Sequence, residues 1–317
     1  MSALLAVEGL EVVHRTGQGP LTALAGVGFE LAAGEALGIV GESGSGKSTL
    51  ARAILGLVPA RAGRVRWQGE AVAGAALARL RREVAIVFQD PLASLDPRFT
   101  VEDSVAEPLA VHEPSLAGPA RRRAVASILE RVGLGAAFLG RRPHELSGGQ
   151  CQRVAIARAL VTRPRLVICD EPWSALDVTT QAQVAALLGE LQREQGTALL
   201  VISHNLALVR RLCERVLVLY LGRIAELSPR EALYAAPLHP YTRLLLDSVP
   251  VLGRAPRDLA AGEPASPLAP PSGCAFRSRC RFAEPRCALA PPPLEAAAPG
   301  RLVACLRAGE GVAREGR

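Results

Sequence analysis

The sequence has no long apolar run. Across its 317 residues no stretch of 18 or more apolar residues occurs, which argues against a membrane-spanning helix. The first ten residues also lack a basic segment followed by an apolar one, so no signal peptide is predicted. We therefore expect a cytosolic protein whose role at a membrane, if it has one, depends on a partner.

Lysine is almost absent from the chain. Of its 37 basic residues, set against 30 acidic ones, 36 are arginine. The one lysine is Lys47, within the segment Gly41–Thr49. An ammonium group is a compact point charge suited to phosphate, whereas a guanidinium is a broad planar fork. This bias indicates that the chain requires lysine chemistry at one place.

Apolar runs alternate with helical patterns up to about residue 235, which predicts an α/β fold. A helix is predicted from Ser48 to Leu57. Buried parallel strands read as unbroken apolar runs, and four segments have this form: Glu35–Val40, Arg165–Cys169, Ala198–Ser203 and Arg215–Leu221.

A helix-rich insertion is predicted over residues 97–162. Four prolines are expected to break it into pieces, namely Pro108, Pro114, Pro119 and Pro143. Between Pro250 and Pro299 lie 11 of the 24 prolines, which argues against long helices or central strands there. We expect a core domain over residues 1–240 and an extension over residues 241–317.

The segment Gly41–Thr49 matches the glycine-rich phosphate loop, G-x-x-x-x-G-K-[ST], placed between a strand and a helix. Its glycines allow successive backbone N–H groups to face a phosphate. Lys47 is expected to reach the β- and γ-phosphates and Ser48 to ligate Mg²⁺. The nucleotide-binding residues expected from this loop are Gly41, Ser43, Gly44, Ser45, Gly46, Lys47, Ser48 and Thr49.

Two acids follow the apolar run that ends at Cys169. Asp170 is expected to reach Mg²⁺ through water, and Glu171 to polarise the water that attacks the phosphate. Two acids can also simply cap a solvated strand end. Their position 123 residues after Lys47 favours the catalytic interpretation.

Leu146-Ser147-Gly148-Gly149-Gln150 comes 23 residues before Asp170. With the phosphate loop and the two acids, it makes the sequence resemble the ATPase subunits of ABC transporters. The resemblance implies a P-loop NTPase core with a mixed sheet and an inserted helical subdomain. It also implies that this segment binds the γ-phosphate of ATP held by an opposite subunit, as an exposed helix N-terminus would allow.

Three further elements match that family in order. The resemblance assigns Gln89 to catalysis and Mg²⁺, Asp177 to the loop that crosses the dimer interface, and His204 to the γ-phosphate. Two positions depart from the family pattern. His14 occupies the place of an adenine-stacking aromatic, and Trp173 that of a threonine, where a bulky indole is expected to affect dimer packing.

One phosphate loop and one such signature imply a homo- or hetero-dimer that holds two ATP molecules. The subtype depends on Phe88-Gln89-Asp90-Pro91 and on the segment His239–Leu245, which resemble the oligopeptide and dipeptide importers. This implies membrane permease subunits as partners, an extracytoplasmic solute-binding protein acting indirectly, and a location on the cytoplasmic membrane face.

The extension holds four cysteines, Cys274, Cys280, Cys287 and Cys305, and it resembles the C-terminal extension of the same branch. Their spacing, C-x5-C-x6-C-x17-C, lacks the close C-x2-C pairs of zinc ribbons. Four thiolates suit a [4Fe-4S] cluster, as the resemblance also implies. Zinc, or reduced thiols without metal, remain the alternatives.

Functions other than peptide import are also compatible with parts of the sequence. Relatives in the same branch carry nickel or other solutes, and an exporter subunit is a further alternative. The net charge of +7 also allows an ABC-type ATPase that acts on DNA or ribosomes. However, 123 residues leave no room for an inserted coiled coil, and the arginines are not interleaved with aromatic residues. We therefore expect no nucleic-acid partner.

Overall fold

The computed structural model describes residues 3–173, 176–248 and 265–308. Its strands are β1 (Leu5–Thr16), β2 (Gly19–Leu31), β3 (Ala36–Val40), β4 (Ala62–Trp67), β5 (Glu70–Ala71), β6 (Val84–Val87), β7 (Leu166–Asp170), β8 (Ala198–Ile202), β9 (Arg215–Tyr220), β10 (Arg223–Pro229), β11 (Glu295–Ala298) and β12 (Arg301–Val303). Its α-helices are α1 (Lys47–Ile54), α2 (Gly74–Glu83), α3 (Pro91–Ser94), α4 (Val101–His112), α5 (Gly118–Arg131), α6 (Gly148–Leu160), α7 (Val178–Gln195), α8 (Leu206–Leu212), α9 (Arg230–Ala235) and α10 (Pro240–Asp247).

The chain divides into two compact units. The first unit comprises Met1–Leu4, Leu31–Ala36 and Ala73–Ile202. The second comprises Leu5–Glu30, Leu37–Val72 and Ser203–Arg317. Within the described residues, no helix combines the length and the apolarity that crossing a membrane requires.

The first unit contains three parallel strands. β6 pairs with β7, and β7 pairs with β8, in registers that place Val84 beside Leu166 and Leu166 beside Ala198. Every residue of β7 and β8 is buried, which explains why β8 is apolar throughout and why β7 is apolar up to Cys169. The carboxyl end of β7 therefore delivers the adjacent acids to one edge of these strands.

Helices α4, α5 and α6 pack on one another in the first unit, within the range 97–162 where the helix-rich insertion was predicted, and α3 packs on α6 from just before that range. The prediction that Pro108 breaks a helix is wrong, because Pro108 lies inside α4. A proline inside a helix costs about 3 kcal/mol. Burial of Val101, Val105 and Leu109 offsets that cost, since each large apolar side chain contributes about 1.5–3 kcal/mol.

The second unit holds two groups of strands. One is an antiparallel sheet with the order β2-β1-β4-β5. In the other, β3 pairs parallel to β9, β9 pairs antiparallel to β10, and β12 joins β10 to β11. Parallel and antiparallel pairs thus occur together, as the expected mixed sheet requires. The C-terminal extension contributes β11 and β12 at the edge, where exposed residues are tolerated.

The predicted elements occur with small shifts at their ends. The strand expected at Glu35–Val40 begins at Ala36, and the run ending at Cys169 continues to Asp170. The helix expected over Ser48–Leu57 begins one residue earlier and ends at Ile54. Apolar patterns identify elements more reliably than they identify the residues at which those elements end.

A buried carboxylate connects the extension to β10. Glu226 is fully buried and accepts hydrogen bonds from the backbone N–H groups of Leu238 and His239, at 3.0 and 2.9 Å. Arg301, on β12, donates to the Glu226 Oε1 atom at 3.0 Å. The charge of Glu226 is therefore paired, which a buried carboxylate requires.

Replacing Arg301 by Leu is expected to lower the free energy of unfolding by about 3–5 kcal/mol, because Glu226 would keep a buried charge without its partner. Urea unfolding of the full chain measures this change. Arg98→Leu is the matched control, because the Arg98 side chain is 83% exposed in its ion pair with Asp96, and such a pair contributes about 0–1 kcal/mol. Equal effects of the two substitutions would contradict the role assigned to the buried pair.

Candidate functional site

The loop Gly41–Thr49 joins β3 to α1 in the second unit and closes around Lys47. The Lys47 Nζ atom donates hydrogen bonds to the backbone oxygens of Gly41 at 2.8 Å and Glu42 at 2.9 Å. It also lies 3.4 Å from the Ser45 Oγ atom. The side chain is only 8% exposed, so the ammonium sits at the centre of the loop rather than in solvent.

Two glycines of this loop are required by close contacts. A Cβ atom at Gly41 would lie 2.2 Å from the backbone oxygen of Leu219, and one at Gly46 would lie 2.4 Å from that of Ala23. Gly46 also has a φ of 105° and forms the N-cap of α1. Only glycine combines that φ with so close a contact. The loop is thus shaped as a concave turn at a helix N-terminus, which is the geometry that binds phosphate.

His14 lies on β1 beside this loop, as its expected role in nucleotide binding requires. Its Nε2 atom is 3.4 Å from the Oγ1 atom of Thr49. His14 is partly exposed. The structure therefore brings His14 together with the phosphate loop inside the second unit.

Asp170 and Glu171 lie at the carboxyl end of β7 in the first unit. They are 2% and 6% exposed, which is rare for carboxylates. Glu171 has a φ of +52°, and its N–H donates to the backbone oxygen of Ile202 at 3.0 Å. A non-glycine residue held in this left-handed region stores strain, which is typical of functional sites. Both acids are thus held rigidly at the strand end.

Ser147 is the N-cap of α6, and it forms a capping box with Gln150. The Ser147 Oγ atom accepts from the Gln150 N–H at 3.2 Å, and Gln150 Oε1 accepts from the Ser147 N–H at 2.9 Å. Ser147 and Gly148 are exposed, Gly149 is partly exposed, and a Cβ atom at Gly148 would contact nothing within 4 Å. This helix N-terminus is accessible for a ligand presented from outside.

Asp177 is the N-cap of α7. Its carboxylate accepts from the Thr180 N–H at 2.9 Å and from the Thr180 hydroxyl at 2.7 Å. These hydrogen bonds, that of the hydroxyl first, lower the pKa of Asp177 below its usual value. Ser174 and Ala175, which belong to the same predicted loop, lie outside the described residues.

Trp173 does not stand on the surface. Its side chain is 1% exposed, and its backbone oxygen accepts from the Gln181 amide at 3.1 Å. A large ring gains more free energy inside the chain than at its surface. The indole was expected to affect dimer packing, but the ring is buried and presents no surface to a second subunit.

Gln89 and His204 both follow strands and are exposed. Gln89 lies between β6 and α3 in the first unit, next to Asp90, which caps α3. His204 lies between β8 and α8 in the second unit, next to the helix cap Asn205. Each side chain is thus presented by a short, well-capped turn.

The expected site residues are distributed over the two units. Those of the second unit are His14, the loop Gly41–Thr49 and His204. Those of the first unit are Gln89, the segment Ser147–Gln150, Asp170, Glu171 and Asp177.

Two residues that contact the phosphate loop were not identified from the sequence. Tyr241 and Arg279 both contact Glu42, although they lie 199 and 237 residues from it along the chain. Local patterns carry no signal for partners that far apart. The only hint was the resemblance of the segment containing Tyr241, to which no role in the loop was given.

The four cysteines of the extension line one small cavity together with Phe276 and Phe282. The backbone N–H of Cys274 donates to the oxygen of Cys287 at 2.7 Å. Burial, and to a lesser degree the neighbouring thiols, raises the pKa of Cys280 to about 11. Among the described residues no three His, Cys, Asp or Glu side chains are arranged to hold a metal ion. The four thiols are therefore suitable metal ligands by their chemistry, but their side chains are not arranged around a common centre.

The remaining cysteines are Cys151, Cys169 and Cys213, and all three are buried. Burial raises the pKa of Cys169 to about 12, with a smaller contribution from the charge of Asp170. This thiol is therefore unreactive at neutral pH, because the thiolate is the nucleophilic form.

Comparison with protein families gives two matches along the chain. The family model for ABC transporters matches residues 24–174. The family model for the oligopeptide/dipeptide transporter C-terminal region matches residues 225–287. The second match covers the segments that contain Tyr241 and three of the four cysteines.

Two curated relatives are similar over most of the chain. The oligopeptide transport ATP-binding protein OppF of Salmonella typhimurium is 50% identical over 283 residues, covering 87% of this chain and 85% of the relative. The protein of the same name from Haemophilus influenzae is 46% identical over 295 residues, covering 90% of this chain and 89% of the relative.

Solved structures of ATP-binding cassettes have a similar fold. The dimeric post-hydrolysis structure of the ATP-binding cassette MJ0796 bound to ADP and Pi has a TM-score of 0.67 and 31% identity, covering 71% of this chain and 98% of that one. The structure of cbiO1 from Clostridium perfringens has a TM-score of 0.64 and 30% identity, covering 74% of this chain and 92% of that one.

Proposed function

The chain belongs to the ATP-binding subunits of ABC transporters, and from this premise we propose that it hydrolyses ATP to energise the import of short peptides. The match of residues 225–287 to the oligopeptide/dipeptide C-terminal region carries the choice of solute class. The identity of 50% to an oligopeptide transport ATP-binding protein supports it.

The phosphate loop is the proposed binding site for the triphosphate. Lys47 reaches the β- and γ-phosphates once it exchanges its bonds to the loop oxygens for bonds to phosphate oxygens. Backbone N–H groups of Gly44, Gly46 and Ser48 face the phosphates at the N-terminus of α1. His14 stacks on the base, with the smaller contact area that an imidazole offers.

Three side chains are proposed to hold Mg²⁺ with the nucleotide: the hydroxyl of Ser48, the amide of Gln89 and, through water, the carboxylate of Asp170. Oxygen donors of this kind suit Mg²⁺. When bound, the ion neutralises charge that develops on the phosphates. The burial of Asp170 keeps its carboxylate in one orientation for this contact.

Glu171 is the proposed catalytic base and His204 the proposed contact to the γ-phosphate. Glu171 accepts a proton from the water that attacks the γ-phosphate, and its constrained backbone orients the carboxylate. Gln89 positions the same water. The resemblance to ABC ATPases supports the roles of Gln89 and His204, and the placement of all three residues directly after strands or at a strand end is compatible with these roles.

Two subunits are proposed to share each ATP. Ser147, Gly148, Gly149 and Gln150 of one subunit bind the γ-phosphate that the phosphate loop of the other holds, and Asp177 lies at the interface. The exposed N-terminus of α6 supports this role. The dimeric structure of the similar cassette MJ0796 supports a two-subunit arrangement. The second subunit is either another copy of this chain or a related ATPase.

The assembly is proposed to sit at the cytoplasmic face of the membrane beneath permease subunits, which form the path for the solute. An extracytoplasmic solute-binding protein delivers the peptide and acts on this chain only indirectly. The proposed core domain covers residues 1–240, and the extension that follows it covers residues 241–317.

Uptake by a deletion strain tests the proposal. The gene is deleted in its native host, and uptake of labelled dipeptides, longer peptides and Ni²⁺ is measured side by side. We expect peptide uptake alone to be lost and to return with the wild-type gene but not with Glu171→Gln. Loss of Ni²⁺ uptake instead would make nickel, not peptides, the solute. Unchanged uptake of all three would indicate either a redundant transport system or an exporter.

We further propose that Cys274, Cys280, Cys287 and Cys305 bind a [4Fe-4S] cluster. The four thiols line one cavity, and four thiolates are the ligand set of such a cluster. Ligation requires their side chains to turn towards a common centre and lose their protons. When bound, the cluster would cross-link parts of the extension that are far apart in the chain.

Iron and acid-labile sulfide analysis after anaerobic purification tests the cluster. Four iron and four sulfide per chain, lost in a Cys280→Ser variant, are the expected result. The matched control is Cys213→Ser, a buried cysteine outside the cavity, which should keep the iron. Stoichiometric zinc without iron, or a colourless chain free of metal, would reject the cluster.

A further inference from the structure

The C-terminal extension contacts one residue of the phosphate loop, Glu42. Arg279 donates from Nη1 to Glu42 Oε2 at 2.8 Å and from Nη2 to Glu42 Oε1 at 2.9 Å. The two parallel bonds form a bidentate pair, the strongest geometry for a guanidinium and a carboxylate. The side chains are only 8% and 25% exposed, so solvent screens this pair little. All of these atoms belong to the second unit.

Tyr241 holds the backbone of the same residue. Its hydroxyl accepts a hydrogen bond from the Glu42 N–H at 2.8 Å, and its side chain is fully buried. The Tyr241 ring packs against Tyr220 and Phe276, with centroid distances of 4.5 and 5.4 Å. Phe276 also faces the Arg279 guanidinium at 5.7 Å. Both contacts to Glu42 therefore arise from one packed aromatic cluster.

Glu42 is part of the inner network of the loop. Its backbone oxygen accepts from the Lys47 ammonium at 2.9 Å and from the Ser45 N–H at 3.2 Å. The backbone of Glu42 thus supports the phosphate-binding groups, while its side chain is held from outside by Arg279. A shift at Glu42 would be transmitted directly to Lys47.

The carboxylate of Glu42 also creates an electrostatic problem for a phosphate loop. ATP carries several negative charges, and a carboxylate one residue from Gly41 repels them. Two unit charges interact more strongly where the effective dielectric constant is lower than that of water. Arg279 neutralises this carboxylate through its two hydrogen bonds.

We propose that Arg279 is a positioning residue for ATP binding, which neutralises Glu42 and fixes the phosphate loop through it. The extension thereby belongs to the nucleotide site without touching the nucleotide. This inference rests on the proposed use of ATP at Gly41–Thr49 and goes beyond it, because neither the motif nor the resemblance assigns Arg279 a role.

Calorimetric titration of the full-length chain with ATP, without Mg²⁺ so that no hydrolysis occurs, tests the proposal. Arg279→Gln is expected to raise the Kd for ATP about 10-fold, the effect of losing one charge-assisted interaction. Arg286→Gln is the matched control. Arg286 lies in the same extension and pairs with Glu284, so its substitution should leave the Kd unchanged.

A second substitution separates positioning from general stability. In Glu42→Gln/Arg279→Gln the repelling charge is gone, so the Kd should return to within about 3-fold of the wild-type value. A residue with a purely structural role would not be rescued in this way. Should Arg279→Gln fail to fold, Arg279→Lys keeps the charge without the bidentate geometry and should raise the Kd by a smaller factor.

Wild-type affinity in Arg279→Gln, or in Arg279→Lys where the first variant does not fold, would overturn the inference. So would a double variant that binds ATP no better than Arg279→Gln. Failure of the proposed function is distinguishable, because a wild-type chain that binds no ATP would reject both. A chain that binds ATP but supports no peptide uptake would reject the solute class alone.

Discussion

Glu171→Gln is expected to lower the rate of ATP hydrolysis by about 10²- to 10⁴-fold, the contribution typical of a general base. Glutamine has the same shape as glutamate but cannot accept a proton at neutral pH. Both residues meet the same strain at a φ of +52°, so the substitution changes the chemistry and leaves the backbone as it is. ATP should still bind, because the phosphate loop and Lys47 are unaltered.

Steady-state phosphate release and the Kd for ATP, measured on the assembled transporter, separate these two effects. Glu190→Gln is the matched control, because Glu190 is an exposed acid on α7 in the same unit and should have no effect. A Glu171→Gln protein with the turnover of the wild type would remove Glu171 from catalysis. Loss of ATP binding together with turnover would instead assign it a role in holding the nucleotide.

Lys47→Arg is expected to weaken ATP binding by about 10²-fold or more and to abolish hydrolysis, although both side chains are cationic. Each hydrogen bond to a charged group contributes about 1.5–3 kcal/mol to binding, and removing one preorganised contact to developing charge commonly lowers turnover about 10²- to 10³-fold. The Lys47 ammonium fits among oxygens of Gly41, Glu42 and Ser45 at 2.8–3.4 Å. A planar guanidinium is too broad for this space and would have to leave it.

Fluorescent-nucleotide binding to the full-length chain measures the loss. The reverse exchange, Arg52→Lys, is the matched control, because Arg52 is an exposed residue of α1 only five positions away. It should bind ATP as the wild type does. If Lys47→Arg also bound ATP normally, the retention of one lysine in a chain with 36 arginines would need another explanation.

Local sequence patterns predicted much of the fold. Unbroken apolar runs identified β3, β7, β8 and β9, because strands covered on both faces must be apolar throughout. The capping box at Ser147 was not predicted, although it too depends on near neighbours, since a serine and a glutamine three residues apart meet at the first turn of a helix. These features depend on neighbours in the chain, which a sequence displays directly.

Pro108 shows where local reasoning was wrong. A proline disfavours a helix interior by its own chemistry, yet α4 continues through it. The free energy that decides the matter comes from packing of α4 against α5 and α6, and those partners are not visible in the local pattern. Propensity is a weak signal wherever tertiary contacts bury the residues on either side.

The sequence by itself determined the chemistry of this protein: a phosphate loop with the only lysine, two acids after a strand, and a helix N-terminus of serine and glycines. Such motifs are short because phosphate is bound by consecutive backbone groups and their immediate neighbours. Only the tertiary structure decided what supports the loop. Arg279 and Tyr241 reach Glu42 because folding brings residues about 200 positions apart into contact, and a long-range ion pair has no fixed spacing to recognise.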